Sequence, residues 1–339
     1  MTIRVGLLGL AHYHAEYWID AWRRHPSATV MGVWDQDAAR SAGFAGRHGT
    51  CAFPDATALL AACDAVGILS ETADHAALVE AACAAGCCVL CEKPAADTLA
   101  GLARIETAVR RSGIVFAQSF PKRTDPVNHA VRDVLARGEL GRVFLARMRH
   151  GHGHGRDPAF LAGWWTDPAR SGGGTLLDEG IHAADLLRWL FGEPVEAMAM
   201  LAGLPDHAVD DVAIAAFRWP SGLLAEVATG WHFTAAEASV ELYGTAGTLL
   251  LSAVDLASRA APPPHLRVSL LAEGGAWRAL SAKTAFPTGT FHQRSASAFV
   301  DCLVDGTPPP AGLDDAAGAL RMVLAAYRAA REGRVTTVR

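Results

Sequence analysis

The chain has 339 residues, 51% hydrophobic and 19% charged, with 30 Lys and Arg against 35 Asp and Glu and a formal net charge of -5. That apolar content excludes intrinsic disorder, and the missing basic excess excludes general nucleic-acid binding. No uninterrupted apolar stretch reaches the ~18 residues of a membrane span, and the length predicts two domains.

The opening MTIRVGLLGLAHYHAEYW does not read as an export signal. His and Glu follow a short apolar run where a small-residue cleavage site belongs. Residues 3–8 are a β-branched apolar run closed by Gly9 and predict a buried strand. Residues 14–24 have helical spacing, with Pro26 as the stop. A strand at 29–34 ends in Asp35, and 38–48 is helical. Then come a strand at 65–69, a helix at 75–85 stopped by Gly86, a strand at 87–91, a helix at 98–112 closed by Gly113 and a strand at 114–117. Strands alternating with helices of this length predict a doubly wound parallel sheet, a Rossmann domain over 1–123.

Beyond residue 124 the pattern changes. One helix (127–137) is followed by strand-like segments at 143–148, 197–201, 212–219, 223–230, 240–243, 248–251 and 266–271. Connectors such as PSG and GTAG mark hairpins, so 124–339 predicts a predominantly antiparallel sheet flanked by helices, with helices at 294–304 and 314–331 closing the chain. These last helices are free to return to the first domain. APPP (261–264) and TPPP (307–310) read as loops. The fold class is therefore α/β followed by α+β.

The seven cysteines (51, 63, 83, 87, 88, 91 and 302) show no second pair at finger spacing and read as reduced, small apolar residues of a cytoplasmic protein. The turn Gly9-Leu10-Ala11-His12-Tyr13-His14 retains the first glycine of G-x-G-x-x-G and a small residue at Ala11. A strand, a glycine turn and a helix place N–H groups where a pyrophosphate can sit. A carboxylate at Asp35 can take both adenosine ribose hydroxyls and repels a 2′-phosphate, which favours NAD over NADP. An ordinary Asp at a strand end is the plainer alternative.

The segment Glu92-Lys93-Pro94 after a strand resembles the signature of the Gfo/Idh/MocA oxidoreductases, the family of glucose–fructose oxidoreductase and inositol dehydrogenase. SETADH (70–75), GELGRV (138–143), GGGTLLDEGIHAADLLRWLFGEP (172–194), DDVAIAAFRWPSG (210–222) and ELYGTAGTL (241–249) follow in the family's order. The departures are the two histidines of the glycine turn, Glu71 where Pro is usual, and HGHGHG at 150–155. The resemblance implies that Lys93, Asp178 and His182 are catalytic. Lys93, at the carboxyl edge of a parallel strand, can bond a nicotinamide ribose and a substrate hydroxyl. Asp178 and His182, four apart at a helix start, share a face, so His182 can take the alcohol proton while Asp178 orients it. A helix cap and a core histidine are the plainer reading of that pair. Asp185 is a further partner or structural, and the glycines 172–174 let the helix approach a nicotinamide.

Gly9, Ala11, His12, Asp35, Ser70, Thr72, His75, Glu92 and Lys93 are the expected cofactor contacts. Arg123 (with Lys122), Trp165 (with Trp164), His152, His154, Asp178 and His182 are the expected substrate contacts. His150, His152 and His154 fall at period two on one side of an extended segment. Together with His12 and His14 they line a polyol pocket or bind a divalent metal. The expectation is no metal. The sequence thus predicts an NAD-dependent dehydrogenase acting on a secondary alcohol of a sugar, inositol or related polyol. The alternatives are a metal-assisted hydrolase, lyase or isomerase on the same fold, or a non-catalytic sugar or nucleotide binder. A homodimer or homotetramer is expected, with no nucleic-acid or membrane partner.

Overall fold

The computed structural model describes residues 2–233, 237–254, 267–272, 275–280 and 290–338. They divide into two compact units: Met1–Thr124 with Ala169–Gly172 and Gly289–Ala317, and Asp125–Pro168 with Gly173–Thr288 and Gly318–Arg339.

The first unit holds five parallel strands, β1 (Ile3–Leu8), β2 (Ala28–Trp34), β3 (Ala65–Ile68), β4 (Cys88–Cys91) and β5 (Phe116–Gln118), in the order β2-β1-β3-β4-β5. β3 is buried at every position, as an apolar run in a sheet covered on both faces must be. Helices start on side-chain caps. Asp37 accepts the Ala39 and Arg40 N–H groups at 2.9 and 3.1 Å, and Thr98 accepts that of Gly101 at 3.1 Å. The helix Ala56–Ala62 was not anticipated; it is only seven residues long, and Asp55 starts it by accepting the Ala58 N–H at 2.8 Å. The helix Thr290–Asp305 packs on Ala15–Arg24 within this unit. Trp22 Nε1 donates to the Ala296 carbonyl at 2.9 Å, and Phe299 and Val300 join the core around Trp18.

Among its described residues the second unit is built on nine strands: β6 (Val143–Gly151), β7 (Glu196–Ala202), β8 (Val212–Arg218), β9 (Leu224–Gly230), β10 (Glu237–Gly244), β11 (Gly247–Val254), β12 (Arg267–Ala272), β13 (Arg278–Ala279) and β14 (Thr336–Thr337). Their order is β13-β12-β11-β10-β6-β9-β8-β7-β14, antiparallel except for β6 beside β9. β8 alternates exposed and buried along its whole length, the pattern of a sheet with one open face. That face carries Met198, Met200, Val212, Ile214 and Leu224. The APPP segment lies outside the described residues.

Two expectations are corrected. The strand expected at 143–148 runs on to Gly151, so His150 is a strand residue, while His152 follows it and His154 begins a 3-10 turn. The three histidines therefore do not share one extended run. The helix expected around 178–182 is two helices, Thr175–Asp178 and Gly180–Phe191, broken at Glu179. Among the described residues, no helix is long and apolar enough to cross a membrane.

Candidate functional site

In the first unit the glycine turn is fixed by two contacts. Gly9 has φ +87°, and a Cβ there would meet the backbone nitrogen and Cβ of Ser70 at 2.7 Å, so only glycine fits. The Leu10 N–H donates to Asp35 at 2.6 Å. The other Asp35 oxygen accepts the Asp37 N–H at 2.7 Å, and Arg40 lies 3.6 Å away. Burial raises the Asp35 carboxyl, against these hydrogen bonds and the Arg40 charge. Each oxygen keeps a lone pair for a ribose hydroxyl. The helix Ala15–Arg24 begins with no cap from the His14 side chain. Gly9, the half-buried Ala11 and this helix start are what a dinucleotide pyrophosphate needs, so the turn fits the group despite its lost glycines.

The two turn histidines point inward. His14 pairs with Glu92 at 2.6 Å, His12 Nε2 lies 3.8 Å from the same Glu92 oxygen, and the His292 ring stacks on His14 with centroids 3.5 Å apart. All four residues are buried. Burial pushes the Glu92 carboxyl up to about 7, against the charges of His292 and Lys93, and burial holds His12 well below the usual histidine range. Lys93 follows β4 and is 4% exposed.

His75 braces this corner. One ring nitrogen lies 2.8 Å from the Pro94 carbonyl and the other 3.2 Å from that of Ser70, so the imidazole ties the end of β3 to the Lys93-Pro94 segment. Ser70 donates to the Glu71 carbonyl at 3.1 Å, and Thr72 is buried. Glu71 is buried between Arg40, at 3.4 Å, and Arg170. Burial alone would raise its carboxyl, but hydrogen bonds from its own backbone and Arg170, with both arginine charges, hold it below the usual range. Arg123 is also buried, paired with Asp315 at 2.8 Å and donating to the Pro310 carbonyl at 3.2 Å. Those bonds give it a bracing role, with Lys122 half-buried beside it.

In the second unit the helix break gathers a separate group. Asp178 ends the first of the two helices, accepts the Trp231 indole N–H at 2.9 Å and stands 3.7 Å from His152 Nε2. His182 is 5% exposed and stacks on His150, centroids 4.9 Å apart and planes within 10°. Glu179 lies 2.9 Å from His150 Nδ1 and 3.6 Å from His152 Nε2. Sequence reasoning missed Glu179, although it sits inside the DEGIH block, because its neighbours His150 and His152 come from the end of β6 and just beyond it, some thirty residues earlier. His154 and Trp165 are half-buried and Trp164 buried. Trp165 stacks on Trp164 at 3.9 Å and on Phe160 at 5.5 Å, an aromatic wall within the unit. Asp185 is fully buried.

The glycine block has a local reason too. A Cβ on Gly174 would meet the Asp210 carbonyl oxygen at 2.0 Å. Asp210 accepts the Gly174 and Leu176 N–H groups at 3.1 and 2.8 Å and the Tyr327 hydroxyl at 2.7 Å. Both partners were invisible in the sequence because they arrive from distant strands and helices.

Comparison with known proteins gives the same outline. Residues 3–120 match the model of an oxidoreductase family with an NAD-binding Rossmann fold, and residues 128–250 match the GFO/IDH/MocA C-terminal domain. A 1,5-anhydro-D-fructose reductase of Ensifer adhaerens is 32% identical over 73% of this chain and 75% of its own. A D-apiose dehydrogenase of Paraburkholderia graminis is 29% identical over 98% and 89%. The crystal structure of an aldose-aldose oxidoreductase from Caulobacter crescentus, complexed with glycerol, superposes with a TM-score of 0.84 at 23% identity, covering 99% of this chain and all of that one.

Proposed function

Because the chain belongs to the GFO/IDH/MocA oxidoreductases, whose first domain binds NAD, we propose that it is a dehydrogenase oxidising a secondary alcohol of a sugar, inositol or related polyol. The observation that carries this reading is Lys93: an ammonium only 4% exposed, at the carboxyl end of a parallel strand and beside buried Glu92. Ligands of such sheets bind at that edge. NAD, when bound, supplies the acceptor for the hydride. Gly9, Ala11 and the start of helix Ala15–Arg24 take its pyrophosphate, and Asp35 takes its adenosine ribose. Lys93 donates a hydrogen bond to the substrate hydroxyl oxygen and lowers its pKa, so that the proton leaves to water as the hydride departs. The relatives named for anhydrofructose and apiose support a polyhydroxy substrate.

Lys93→Met should lower kcat/KM by about 10²–10⁴-fold, the usual worth of a positioned proton-handling group, while NAD still binds. The check is calorimetric NAD titration beside steady-state rates on a panel of sugars and inositols. A variant as active as the unmutated enzyme ends the proposal. We further place the protein in the cytoplasm as a homo-oligomer. The seven unpaired thiols support a reducing compartment. The apolar open face of the second sheet supports self-association, with Met200 74% exposed.

A further inference from the structure

The dehydrogenase reading leaves unused the second unit's most unusual feature, the meeting of His150, Glu179 and His182. Each of the three is less than one-tenth exposed. One donor atom from each lies within 4.8 Å of the others, and His150 Nδ1 stands 2.9 Å from Glu179 Oε2. A metal with bonds of about 2.0–2.1 Å has ligand–ligand edges of about 3.3 Å in a tetrahedron and about 3.0 Å in an octahedron. The His150–Glu179 contact is already of that size.

The surroundings are those of a supported ligand set. His152 Nδ1 accepts the His154 backbone N–H at 3.2 Å, so the neutral ring carries its proton on Nε2. That nitrogen faces Glu179 Oε1 at 3.6 Å and Asp178 Oδ2 at 3.7 Å. Trp231 holds Asp178 from another side. An imidazole and an indole thus orient two adjacent carboxylates from outside, as outer partners do around metal ligands. A divalent cation would offset the charge of the two neighbouring carboxylates.

We propose that His150, Glu179 and His182 hold one divalent transition-metal cation, with His152 orienting the Glu179 carboxylate from outside it. Two imidazoles and one carboxylate select zinc, manganese or iron over calcium or magnesium. Three protein ligands leave a position for an oxygen donor, the hydroxyl or carbonyl class. Any use of the cation in turnover rests on the dehydrogenase reading, with His182 then a ligand and not a base; its binding does not.

The test uses the full chain, stripped with chelator and titrated with Zn²⁺ and with Mn²⁺ by calorimetry. The expected result is about one equivalent bound, with His150→Ala and Glu179→Gln each weakening affinity by at least about tenfold. NAD binding and circular dichroism should stay unchanged in both variants. X-ray absorption of the zinc-loaded unmutated protein, which needs no variant to fold, should show two imidazoles and no sulfur. No saturable binding, a sulfur-containing shell, undiminished affinity in both folded variants, or loss of the metal in His14→Ala in place of His150→Ala overturns the inference. Failure here leaves the Lys93 result untouched, so the two readings are separable.

Discussion

His75 shows how one side chain can be placed by fold and charge together. It faces two carbonyls, and a neutral imidazole can donate to only one. The cation would satisfy both, and Glu92 and Asp74 also favour it, yet burial wins and holds the ring below its ordinary 6.5. The unfolded chain takes up this proton near pH 6.5, and the folded chain only at lower pH. Between those two values the unfolded state binds more protons, so stability falls on acidification. The slope is at most about 1.4 kcal/mol per pH unit for one proton. Urea denaturation at pH 7.5 and 5.5 should therefore show His75→Gln losing less stability on acidification than the unmutated protein; equal losses would refute the assignment. The sequence marked His75 as a residue near the cofactor, but not as a brace, because its two acceptors come from Ser70 and Pro94. Gly9, Asp35 and Lys93 were legible because strand ends and turns fix them locally. Glu92 was legible as part of the Glu92-Lys93-Pro94 segment, but the His292 charge that acts on it gave no signal at all, being 200 positions away on a helix from the other end of the chain.

The start of helix Thr175–Asp178 in the second unit depends on one capping arrangement. Asp210 holds the start of Thr175–Asp178 through two N–H groups, and Tyr327 reaches across to the same carboxylate. Burial raises both groups, the tyrosine further because Asp210 faces it. Tyr327→Phe leaves a buried carboxylate short of one donor, which costs about 1–3 kcal/mol. The urea midpoint should drop with an unchanged slope, since the surface exposed on unfolding hardly alters. A midpoint within error of the unmutated protein would show that Asp210 finds another donor. Periodicity placed most strands and helices of both units, since buried runs and alternating runs are distinct. It could not see the break at Glu179, because apolar spacing continues through it while Gly180 and the Asp210 cap set the actual helix starts. The same limit merged the helices Thr175–Asp178 and Gly180–Phe191 into one.

Across the whole molecule, thiol chemistry reports the folded state. Cys51 is exposed, Cys88 half-buried and the other five buried, with burial pushing Cys63 up to about 12 and Cys302 to about 11. Thiolates are the reactive form. Ellman's reagent should find one fast thiol in the native protein, absent in Cys51→Ser, and all seven in denaturant; several fast native thiols would contradict the burial described. Composition and the change from alternating to strand-rich texture near residue 124 made both fold types legible. What texture could not convey is that the first unit is completed by residues 169–172 and 289–317. Trp22 finds its acceptor on Ala296, and Arg123 its carboxylate on Asp315. The nucleotide-binding half is therefore not a cassette. A gene fragment ending after residue 124 would strand an indole and a guanidinium without their bonding partners and bare the surface that Phe299 and Val300 cover. Recombination between relatives can exchange this half intact only by carrying three separate stretches of the gene together, so the two halves of the protein are bound to a shared evolutionary history.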